Sequence, residues 1–127
     1  MPVSVKIDLV THDPASDEFV LYLVEDVPWP ESEEEWQLRL KAIQDRVLAA
    51  ADVAIDGHLA GKYPDSIGKS VRIQVDSPLH YQERVTELIS DVDRFLVEDP
   101  SYAKAVRSSR HIRGIRVVTG TEMGRFQ

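Results

Sequence analysis

The sequence predicts an α+β fold: a two-layer sandwich in which two long helices cover one face of a four-stranded sheet. Two observations carry this. Four short segments are apolar with strand-like alternation or continuity, and two longer ones repeat apolar residues at three- and four-residue steps. In chain order they read strand, strand, helix, strand, helix, short helix, strand, or ββαβα(α)β. At 127 residues the chain makes one domain. The expected domain covers 1–119, and "GTEMGRFQ", 120–127, is a flexible tail.

Each element follows from its residues. Val5, Ile7 and Leu9 alternate with Lys6 and Asp8, which predicts a half-buried strand over about 3–11. "HDPASDE" is a turn. "FVLYLV", 19–24, is apolar on both alternating faces, so it is a central strand covered on both sides or paired within a dimer. Pro28 and Pro30 then remove two backbone donors and end that strand around Trp29. Ser32 stands three residues before Glu35, the capping-box spacing. Trp36, Leu40, Ile43, Val47, Ala50, Ala51 and Ala54 form the apolar stripe of a helix over about 33–56. Gly57 stops it in the left-handed conformation.

"GHLAGKYPDSIGKS" has the composition of a loop. Val71, Ile73 and Val75 alternate with Arg72, Gln74 and Asp76 in a third strand over 70–76. Ser77 and Pro78 fit the N-cap and first position of the second long helix, whose stripe runs from Val85 to Leu96 and ends near 98. Asp99-Pro100 breaks it. A short third helix fits 100–109, and a last strand fits 112–119, with Ile115 and Val117 inward and Arg116 outward.

Composition narrows function. The net charge of −7 argues against general nucleic-acid binding, which needs a basic face. There is no cysteine, so disulfides, thiol nucleophiles and cysteine-held metals are excluded. No apolar run is long enough for a membrane span, and "MPVSVKIDLV" does not read as a signal peptide. A cytoplasmic protein is expected. Charge is also divided along the chain. Residues 7–38 hold ten acids and no Lys or Arg, whereas 100–127 hold six Lys or Arg and one acid. The two ends are expected to attract, within a chain or between chains.

The densest acidic stretch is "VEDVPWPESEEEW". Glu33, Glu34 and Glu35 are consecutive in a helical first turn and fan apart by roughly 100° each, so they cannot converge on one ion. They serve the helix dipole instead. Glu25 and Asp26 close the buried strand before the proline elbow, and with Trp29 they are the candidates left for function, Asp26 and Trp29 foremost. Trp29 is either a lid over the core or a contact for a partner. The four histidines, His12, His58, His80 and His111, lack metal-ligand spacing, and no serine sits in a nucleophile motif. Gly68-Lys69-Ser70 precedes a strand and lacks the leading glycine of a phosphate loop. Arg107, Arg110, Arg113 and Arg116 recur every three residues, but Gly114 and the alternation after it break any helical row; Arg116 remains a candidate contact. Nothing in the sequence calls for a cofactor or a metal.

"IDLVTHDP", "FVLYLVEDVPW" and "AIDGHLAGKYPDSIGKSVRIQV" together resemble a family of small uncharacterised bacterial proteins, a domain of unknown function. Ile7, Asp8, Asp26, Trp29, Gly57, Leu59, Pro64 and Gly68 carry the resemblance, which covers about 5–118. "DPSYAKAVRSSRH" is longer than the matching link. The resemblance implies neither an activity nor any catalytic residue.

The sequence thus points to a non-enzymatic protein-interaction module that self-associates as a dimer or meets a protein partner, of the immunity or antitoxin type in one version. The doubly apolar strand and the charged ends motivate it. The alternative is a small ligand-binding or enzymatic domain. Its pocket would lie between the elbow (Asp26, Trp29) and the loop 58–69, near Tyr63.

Overall fold

The computed structural model describes residues 6–77 and 82–120. The chain folds as strand β1 (Leu9–Asp13), strand β2 (Glu18–Val24), helix α1 (Glu33–Ile55), helix α2 (His58–Lys62), a 3₁₀ turn at Pro64–Ser66, strand β3 (Lys69–Asp76), helix α3 (Glu83–Glu98), helix α4 (Pro100–Ser108) and strand β4 (Ile112–Gly120). The sheet order is β1-β2-β3-β4. β1 pairs antiparallel with β2, while β2, β3 and β4 are parallel.

Parallel neighbours need crossovers, and α1 and α3 supply them. The strand order advances in one direction, so two crossovers of the usual right hand place both helices on one face. They meet there, α1 against α3 and both against β4. The α+β sandwich expected from the sequence is therefore the observed one.

The core lies between these layers. From β3 come Val71, Ile73 and Val75; from β2, Leu21 and Leu23; from α1, Trp36, Ile43, Val47, Ala50, Ala51 and Ala54; from α3, Val85, Ile89, Val92 and Leu96. The alanines at the end of α1 are fully buried, so that end sits close to its neighbours. β2 is interior to the sheet, and Glu18 to Leu23 are all buried within one chain.

Side chains alternate along each strand, so Arg72, Gln74 and Asp76 of β3 face away from the helices. They are not simply solvated: Gln74 is 3% exposed and Asp76 0%. The Gln74 Nε2 group donates to Asp76 Oδ1 at 2.9 Å. Near them Glu18 of β2 accepts two bonds from Arg116, at 2.7 and 2.8 Å, and one from Arg72 at 3.1 Å.

The structure corrects four boundary expectations. The first strand starts at Leu9 and ends at Asp13, later than 3–11, and its expected first residues lie outside the described ones. Within the expected loop 57–70 stand α2 and the 3₁₀ turn, because Leu59 and Ala60 find burial against α1. The second long helix begins at Glu83, with Gln82 extended and no side-chain cap. The start expected at Ser77-Pro78 is therefore not the start of α3, and residues 78–81 lie outside the described ones, as does the tail from 121. Gly120, assigned to the tail from the sequence, closes β4.

Other details agree. Ser32 Oγ accepts from Glu35 N–H at 3.2 Å. Gly57 takes a φ of +99°, and a Cβ there would come within 2.7 Å of His111 Nε2. Asp99 caps α4, its carboxylate accepting from Tyr102 N–H at 3.1 Å. No helix among the described residues is long and apolar enough to cross a membrane.

Candidate functional site

The elbow between β2 and α1 is built by arginines that the helix delivers. Arg39 and Arg46 are seven residues apart, two turns, so they leave α1 on one side. Glu25, just past β2, lies between them. Arg39 Nε donates to Glu25 Oε1 at 3.0 Å, and an Arg46 terminal nitrogen to Glu25 Oε2 at 2.9 Å. The other Arg39 nitrogens donate to the carbonyls of Pro28 and Val27, at 3.2 and 3.0 Å. A segment with two prolines has few ways to satisfy its backbone, and this side chain does so.

Arg46 continues the frame. It binds the carbonyl of Val24 at 3.0 Å, that of Lys6 at 2.8 and 3.1 Å, and Asp8 Oδ2 at 2.7 Å. Asp8 also accepts from Val24 N–H at 2.7 Å. Burial pushes the Asp8 carboxyl up, but the Val24 N–H and Arg46 outweigh it and hold it below the usual range.

On this frame the indole of Trp29 stacks on Trp36, with centroids 5.8 Å apart and planes 13° from parallel. The Arg39 guanidinium lies 4.6 Å from the Trp29 ring centroid. Arg84 of α3 lies 5.4 Å from that of Trp36 and donates to both carboxylate oxygens of Glu33, at 3.1 and 2.6 Å. That hydrogen bonding lowers the Glu33 carboxyl from its ordinary value. Two aromatic rings and two guanidinium groups thus form one stack from the elbow to α3.

Beside Trp29 runs an open groove of about 810 Å³, lined by Val27, Pro28, Trp29, Pro30, Leu38, Glu31 and Glu35 among others. Val27 and Leu38 are 61% and 73% exposed. Glu31, Glu35 and Asp26 are exposed and form no ion pair among the described residues.

The sequence candidates are placed as follows. Asp26 lines a hollow of about 410 Å³ with Glu25, Arg39 and Arg46, while its neighbour Glu25 carries the bonds. Trp29 is partly buried against the core and also lines the groove, so it is both lid and exposed surface. Tyr63 is partly buried in a different cleft of about 540 Å³ between β1 and α2. Elbow and Tyr63 do not share one pocket. Arg116 is half exposed on β4 and paired with Glu18. Its guanidinium holds the Glu18 carboxyl below the ordinary value. Arg107 ends up on α4, apart from Arg116, so the arginines form no row.

Sequence reasoning placed Glu25 at the elbow but missed Arg39 and Arg46, which hold it. Their signal was the seven-residue spacing on the polar side of α1, opposite the glutamate that follows a buried strand. Among the described residues no group of three His, Cys, Asp or Glu is arranged to hold a metal ion. Compared with protein families, curated proteins and solved structures, the chain finds no match.

Proposed function

We propose that the chain is a non-enzymatic protein-interaction module that presents the Pro-Trp-Pro elbow to a partner. The supporting observation is the apolar groove beside Trp29, lined also by the carboxylates of Glu31 and Glu35, which form no ion pair among the described residues. Covering Val27 and Leu38 would contribute roughly 1–2 kcal/mol each. The stiff frame limits the ordering cost of binding. The carboxylates select a partner segment that carries Lys or Arg. On this reading the chain is an acidic, cytoplasmic inhibitor of a basic partner, of the immunity or antitoxin type, from the bacterial family that its motifs resemble.

Two sequence features motivate self-association, and each also has a role inside one chain. β2 is interior to the sheet, and one ion pair, Glu18 with Arg116, joins the acidic and basic segments. A dimer must then use another surface. Light scattering on a size-exclusion column at low and high salt decides this: a monomer at both drops self-association and leaves the elbow contact standing.

The elbow itself is tested by tryptophan fluorescence with two amphipathic peptides of equal length, one of Lys and Leu, the other of Glu and Leu. The Lys peptide is expected to bind. Leu38→Asp and Glu35→Lys should each weaken it by about tenfold with unchanged circular dichroism. Equal binding of both peptides, or no effect of Leu38→Asp, would remove the elbow as the contact surface.

A further inference from the structure

The sheet's two edges are treated differently. The β4 edge is guarded: α3 and α4 pack along it, and Asp93 of α3 accepts from the backbone N–H of Val117 at 2.8 Å. That donor would otherwise be open to another chain. β1 forms the opposite edge. Among the described residues its backbone has no partner beyond β2.

Alongside β1 lies the 540 Å³ cleft whose apolar wall includes Val10, Val53, Leu59 and Tyr63. Its rim is cationic in an acidic protein. The Lys6 side chain is 84% exposed and 3.7 Å from Asp8, a carboxylate already held by Arg46. Lys62 is exposed, makes no ion pair among the described residues, and lies 5.9 Å from the Tyr63 ring centroid. Arg46 pins the Lys6 carbonyl, so the strand enters on a fixed path.

We infer that β1 and this cleft form a second docking surface, which accepts an extended partner segment carrying acidic and apolar residues. The segment adds a strand to β1, places an apolar side chain against Val10 and Leu59, and sets a carboxylate beside Lys62. The surface is opposite in charge to the elbow and stands independently of it.

The probe is a fluorescein-labelled peptide of alternating Val and Glu, followed by anisotropy with the full chain. Two controls accompany it: the Val and Lys counterpart, and the Val and Glu peptide with a central proline. The Val and Glu peptide is expected to bind at least about tenfold tighter than either control. Lys62→Glu, a surface change, should cost a similar factor, and amide shifts should centre on Leu9–Asp13. No binding, equal binding of the Lys peptide or the proline peptide, indifference to Lys62→Glu, or shifts centred on the elbow would each overturn the proposal. So would light scattering that shows the free chain already dimerised through the same amides, since the occupant would then be a second copy.

Discussion

At the scale of single residues, Arg46 links the most parts. It joins α1 to the carbonyls of Lys6 and Val24 and to the carboxylates of Asp8 and Glu25. Both carboxylate side chains are mostly buried, 20% and 13% exposed. Arg46→Ala leaves them without that partner. Loss of a largely buried charge partner costs about 3 kcal/mol, and the remaining exposure lowers this to about 2. Urea denaturation should show the lower midpoint with an unchanged slope. Gly57 is a different kind of constraint. Its φ of +99° disfavours a side chain, and a Cβ would meet His111. Gly57→Ala should cost about 2 kcal/mol. Adding His111→Ala should recover the steric part and leave the backbone part, of about 1 kcal/mol. Full recovery would show that the conformation itself is free of strain.

At the scale of elements, period and punctuation were legible where the sequence acts locally. The alternation of Val71, Ile73 and Val75 marked β3, the stripe from Trp36 to Ala54 marked α1, and Asp99-Pro100 marked the start of α4. Where tertiary contact decides, the sequence was silent. Leu59 and Ala60 become helical because α1 buries them, although glycine and proline surround them. The same holds for the elbow. Glu25 and Trp29 were visible as candidates, but the Arg39 that joins them comes from a separate element. The β4 guard belongs to this scale too. Asp93→Ala should strand the Val117 N–H at a cost of about 1–2 kcal/mol and expose the edge. Equilibrium denaturation measures the first effect, and concentration-dependent light scattering the second. A variant that is less stable yet strictly monomeric would limit Asp93 to satisfying a donor.

For the whole molecule, ionisation sets a pH window bounded on both sides. On the acid side, the carboxyls of Asp8, Glu18 and Glu33 sit below their ordinary values. Each binds a proton more readily in the unfolded chain, so its stabilisation is complete above the unfolded value, near pH 4–4.5, and drains as pH falls through the folded one. Glu18 is the sharpest case, since its side chain is 8% exposed and bonded to Arg116 and Arg72. Glu18→Gln should lower stability by about 2 kcal/mol at neutral pH, and the gap should close as pH falls through the lowered folded value. On the alkaline side, burial and then the charge of Asp52 push the Tyr102 hydroxyl up to about 12. Here the folded state holds the proton more tightly. The contribution is complete below pH 10 and is lost as pH rises toward 12. Tyr102 donates to Asp52 at 3.1 Å and so ties α4 to α1. Tyr102→Phe should therefore flatten stability over that range relative to the parent, while leaving the acid limb unchanged. Thermal melts of the parent and both variants across pH separate the two limbs. If Tyr102→Phe follows the parent through the alkaline range, the lysines set that limb and the α4 tie plays no part in it.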